Sequence, residues 1–137
     1  MTRDEMMRML NDYRHHYYEY LMLESKALPK SPALEEHIGT DGLTYEQRLN
    51  KSIERKEELS RDLLLIDRSL EELKEVSQDY YRIIYYHYVS IEYPMSLNRI
   101  SSELFGYDDY TSFWRNGWHR NALAELHDII NKIKKTQ

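Results

Sequence analysis

Only four glycines and three prolines interrupt this chain of 137 residues, and they are not scattered. Two of each fall together in LPKSPALEEHIGTDG, from Leu28 to Gly42; Pro94 closes SIEYP, and Gly106 stands in ELFGY. Proline removes a backbone donor and pushes the residue before it out of the helical region. Glycine supplies sharp turns and left-handed caps. The stretches between these breakers are rich in Leu, Glu, Lys, Arg and Met, all good helix formers. The expected fold class is therefore all-α, cut where the breakers stand.

Hydrophobic spacing fills in the pieces. Met6, Leu10, Tyr13, Tyr17 and Tyr20 are four, three, four and three apart, a single stripe on a helix over 4–27. Thr2 and Glu5 have capping-box spacing at its start. The segment 28–43 reads as loop, with GTDG as turn chemistry. Thr44 and Gln47 repeat the capping-box pattern and open a long helix to about Val76. Leu59, Leu63, Ile66, Leu70 and Leu73 hold heptad spacing there, whereas Leu49 and Ile53 are out of phase, too short a run to define a coiled coil. Ser77 caps a short apolar helix over 77–89, and Ser96 caps a second with Leu97, Ile100 and Leu104 on one side. Gly106 ends that one at a turn expected to have positive φ. A last helix is expected from about Asp109 to Lys134, capped by Asp108 or Asp109.

Composition excludes several classes. With no cysteine there is neither a disulfide nor a thiolate metal site. No apolar run approaches the roughly 20 residues that span a bilayer, and the acidic, Met-rich start does not read as a secretory signal. His15 and Glu19 are four apart but lack a third ligand. Glu35, Glu36 and His37 mark no cleft, and His87 among tyrosines reads as a packed residue. There is no phosphate loop, nucleophile elbow or HExxH pattern, so neither an enzyme nor a cofactor is expected. Net charge is −5, yet from Tyr110 onward there are five basic and two acidic residues. A local basic surplus is what a nucleic-acid face needs.

Residues 77–134 combine a short helix, a break, a shorter helix, a glycine turn and a long helix, the trihelical layout of a helix-turn-helix. On a continuous last helix Trp114, Trp118, Ala122, Leu126, Ile129 and Ile133 share one side, the expected core. Phe113, Asn116, Arg120 and His127 fall opposite, where DNA would lie. Arginine forks onto guanine and asparagine onto adenine. Tyr110, Thr111 and Ser112 sit near the start of that helix, within reach of phosphates or bases. Arg99 on the middle helix would anchor the backbone, while Arg115 and His119 lie between the two faces. Without this frame, Asn116 and Arg120 read as plain solvated surface.

The pattern DYYRIIYYHYV…LNRISSELFGY…FWR…AL resembles sigma factor region four. More closely, it resembles the ArpU/RinA-type late-gene regulators of phages and prophages of low-GC Gram-positive bacteria. The likeness covers about the C-terminal two thirds and rests mostly on hydrophobic spacing. It departs from the family pattern at Ser101, at the longer Leu104–Phe105–Gly106–Tyr107 turn and at Asp108. About three extra residues separate Gly106 from Ala122, nearly one helical turn, which would keep the core face. The resemblance implies a cytoplasmic, sequence-specific transcription activator in a bacterial host, with Thr111 and Arg115 facing double-stranded DNA. It also implies contact with RNA polymerase. The expected organisation is a helix and loop over 1–43, a connecting helix over 44–76 and the DNA-binding domain over 77–137, with a homodimer formed through the N-terminal helices. Two alternatives stand beside it: a small terminase-like packaging subunit, and a helical adaptor that binds protein rather than DNA.

Overall fold

The computed structural model describes residues 1–26 and 44–136. Every regular element among them is helical, so the fold is all-α. Two long helices come first, α1 (Arg3–Lys26) and α2 (Tyr45–Val76). Four shorter ones follow: α3 (Gln78–Ile84), α4 (Leu97–Arg99), α5 (Tyr110–Arg115) and α6 (Trp118–Lys135). α3 continues as a π turn over Tyr85–Val89, and α4 as another over Ile100–Leu104. The expected loop at 28–43, with its GTDG turn and the Glu35–His37 cluster, lies outside the described residues.

The helix starts follow the local chemistry of the sequence. Thr2 Oγ1 accepts from the Glu5 amide, and Thr44 Oγ1 accepts from Gln47 N while Gln47 Oε1 accepts from Thr44 N, a complete capping box. Ser77 and Ser96 accept from the amides of Tyr80 and Arg99, three residues on in each case. The ends are less ordinary. The amide of Ser90 reaches back five residues to Tyr85 O, and that of Phe105 to Ile100 O. This wider turn is what makes both short helices π-helical at their C-termini.

The chain divides into two compact units, one of Met1–Arg14 with Leu64–Gln137 and one of His15–Leu63. In the larger unit Met6, Leu10 and Tyr13 of α1 are buried, as are Leu65, Ile66, Leu70 and Leu73 of α2. Ile83, Ile84, Ile100, Phe113, Leu126 and Ile130 complete its interior, and α3 lies along α6. Burying a side chain of this size contributes about 1.5–3 kcal/mol. Polar ties fix the helices further. Tyr13 donates to Asp67 Oδ1 at 2.6 Å. Arg14 donates from Nε to Ser90 O and from Nη2 to Tyr86 O, so α1 satisfies carbonyls at the end of α3. In the smaller unit Leu59 and Leu63 are buried, Arg55 pairs with Glu19 at 2.7 Å, and Lys56 lies over the Tyr20 ring.

The last helix, expected in one piece from about Asp109 to Lys134, is two. Asn116 caps α5, Gly117 adopts φ +73°, and α6 starts anew at Trp118. The interval between Gly106 and Ala122, expected to carry one continuous helix, thus contains a break. Because the helical phase is not carried across it, the expected faces change. Trp114, expected in the core, is 55% exposed, whereas Phe113, expected to face outward, is fully buried. His127, also expected outward, is half-buried, its Nε2 donating to the Met1 carbonyl while the Met1 amino group donates to Asn131. Trp118, Ala122, Leu126 and Ile129 do face inward, and Ile133 is half-buried.

Candidate functional site

α4, α5 and the start of α6 are locked by aromatic rings. Phe113 meets Phe105 at 5.6 Å, Tyr107 at 5.7 Å and Tyr110 at 6.2 Å between centroids. Trp118 packs on Phe105 at 5.0 Å and meets Tyr80 of α3 edge-on at 6.0 Å. Such pairs favour offset or edge contacts and add to the area they bury. Arg82 lies 5.2 Å from the Phe105 centroid, a cation on the outer face of the cluster. The Tyr107 hydroxyl accepts from Trp118 Nε1 at 2.8 Å and from Asn116 Nδ2 at 3.1 Å. Tyr107 thus ties both sides of the break to the turn before α5. Gly106 in that turn has φ +69°, the left-handed conformation that glycine adopts without a Cβ penalty.

α5 is short and mostly outward. Asp109 caps it, its Oδ1 accepting from the Thr111 amide at 2.9 Å and its Oδ2 from the Ser112 hydroxyl at 3.2 Å. The Thr111 amide chiefly, helped by Ser112 and the nearby Arg115, holds the Asp109 carboxyl below its ordinary value. Thr111, Ser112, Trp114 and Arg115 are exposed, and Tyr110 is half-buried on Phe113. Among the described residues no ring and no cation contacts Trp114, in contrast to the engaged Trp118.

The remaining expected site residues separate into those at this surface and those used elsewhere. Arg120 is exposed, with its guanidinium folded over Gly117 at the break. Asn116 is exposed, but its amide also donates to Ser112 O at 2.9 Å, so it secures the end of α5. Arg99 is exposed on α4 and forks onto Glu103 at 3.2 Å, which raises its pKa. His119 turns inward. Its Nε2 is 2.7 Å from the Tyr88 hydroxyl, which donates when the ring carries its proton on Nδ1. The His119 ring also stacks on Tyr88 and stands edge-on to His87, whose own Nδ1 donates to Met95 O. Burial, with His87 and Arg3 nearby, pushes His119 down to about 4. Burial likewise pushes Tyr88 up to about 12. Both are neutral at physiological pH.

Two residues that belong with this surface escape the sequence pattern, Trp114 and Arg3. With His119, Arg120 and Leu123 they line a cavity of about 240 Å³ beside the break. Trp114 is legible only once the helix is cut at Gly117. Arg3 carries no local signal, since it arrives from the opposite end of the chain.

No protein-family model, curated protein or solved structure matches this chain. Among the described residues no group of three His, Asp or Glu side chains could hold a metal, and no helix is long and apolar enough to cross a membrane.

Proposed function

We propose that this chain is a sequence-specific double-stranded DNA-binding regulator of transcription, of the kind that activates phage or prophage late genes. The observation that carries the reading is the outward face of α5. Thr111, Ser112, Trp114 and Arg115 stand exposed on a helix whose opposite side is fixed by Phe113. A helix displayed in this way, behind a capped short helix and a glycine turn, suits entry into the major groove. Arg115 supplies a guanine fork, Thr111 a base-edge or methyl contact, and the Trp114 ring an apolar surface. Arg120 extends the cationic surface past the break, and Arg99, already neutralised by Glu103, contributes less. His119 is half-buried and bonded to Tyr88, so it stands apart from the exposed face of α5.

The test is selection of genomic fragments by the purified protein at physiological salt, followed by sequencing. One enriched site is expected. In Thr111→Ala/Arg115→Ala that site should be lost, with helicity unchanged. Asn116 is left intact in this variant because its side chain holds the α5 terminus. Loss of a bidentate base contact weakens the correct site by about 1–3 kcal/mol. Unaltered selectivity in the double variant would remove α5 from the recognition role.

A further inference from the structure

The cavity beside the break has an unusual lining. The buried Leu123, the half-buried His119 and the unstacked indole of Trp114 all line it. Arg3 and Arg120 also line it, and among the described residues no carboxylate does. Neither arginine has a carboxylate partner among the described residues, unlike Arg55, Arg82 and Arg99, which are all paired. A largely apolar pocket with one unstacked indole thus has two arginines without a carboxylate partner in its lining. At about 240 Å³ it is smaller than the 300–1,000 Å³ typical of sites for drug-sized ligands, a size that suits a single ring system.

The chemistry that fits is a flat ring bearing an anion. A nucleobase stacks on an exposed indole whatever its identity, because every base has a π-face. A phosphate is held well by arginine forks. We propose that Arg3, Trp114 and Arg120 form a pocket for one unstacked nucleotide, its base against Trp114 and its phosphate between the two arginines. The nucleotide is either free or part of a DNA strand from which one base has left the stack. The second source rests on the DNA-binding reading above; the first does not.

The experiment uses the full chain and deoxyadenosine monophosphate, followed by tryptophan fluorescence and calorimetry. Saturable binding is expected, weakened roughly tenfold or more by Trp114→Ala and partly restored by Trp114→Phe. Arg3→Ala/Arg120→Ala should reduce affinity for the monophosphate to that for deoxyadenosine, which lacks the phosphate. Inorganic phosphate alone should bind more weakly than the nucleotide. A short single-stranded oligonucleotide that outcompetes the monophosphate identifies a strand as the source; equal or weaker binding identifies the free nucleotide. Absence of saturable binding by both probes, or binding insensitive to Trp114→Ala, overturns the pocket. The fragment selection reads α5 independently, through Thr111 and Arg115. A chain that binds the monophosphate but selects no fragment refutes the DNA reading alone, and the reverse result refutes the pocket alone.

Discussion

Protonation of His119 should set the acid limit of this fold. In the unfolded chain the imidazole titrates near its ordinary value of 6.5; in the folded chain it is held down to about 4. Between those values the unfolded state binds the proton and the native state does not. Stability therefore rises with pH across this window, and is lost as pH falls from about 6.5 to about 4. At about 1.36 kcal/mol per unit the whole displacement corresponds to about 3 kcal/mol. The ring is partly open to solvent, and screening reduces this to about 1–2 kcal/mol. The groups facing it are His87 and Tyr88 of the α3 segment and Arg3 of α1, none of them an anion that would favour the imidazolium. The assay is urea unfolding followed by helical circular dichroism at several pH values from 7 to 4.5, on the wild type and on His119→Gln. Glutamine keeps a polar partner for the Tyr88 hydroxyl but carries no titrating group, and the other histidines cancel in the difference. Relative to the variant, the wild type should lose about 1–2 kcal/mol on acidification. A difference that stays flat, or grows in favour of the wild type, would refute the proposed burial of a neutral imidazole.

Two further predictions concern the break. Phe113→Ala should cost about 3–5 kcal/mol in urea unfolding, the loss expected for a buried ring, whereas Trp114→Ala next to it should change stability by less than about 0.5 kcal/mol. Equal costs at the two positions would mean that the helix runs on through Gly117 after all. Gly106→Ala and Gly117→Ala should each cost about 1–2 kcal/mol for forcing a side chain into left-handed backbone. Only the second should weaken deoxyadenosine monophosphate binding, because a Cβ there would stand 2.7 Å from Arg120 Nη2 and drive the guanidinium away.

Features governed by neighbours in sequence were legible from the residues alone. The caps at Thr44, Ser77 and Ser96 follow from hydrogen bonds spanning three residues, and the structure forms each of them. The Leu59–Leu73 stripe is buried throughout, because a long uninterrupted helix preserves its phase. Gly106 has the positive φ its place between two helices required. The pattern failed where phase was assumed to persist. A glycine in an otherwise periodic segment is tolerated in a helix, so Asn116–Gly117 gave no warning, and placing Trp114 with Trp118 followed from spacing that the break annuls. The π turns at Tyr85–Val89 and Ile100–Leu104 also left no mark, since five-residue hydrogen bonds have no residue signature. The pocket was the least readable feature. It depends on Arg3 meeting α6, a tertiary contact invisible to periodicity.

α5 stands between the only two positive-φ residues among those described, Gly106 and Gly117. Its six residues are joined to the interior by one plug, Phe113, and by hydrogen bonds at its two ends. The rest of α5 bears little of the weight of the fold. Such a segment behaves as an interchangeable tip. Thr111, Ser112, Trp114 and Arg115 are free to be replaced, singly or together, while α3, α4 and α6 keep their packing. If α5 reads DNA as proposed, a handful of codons between Gly106 and Gly117 would suffice to change its target without a new core.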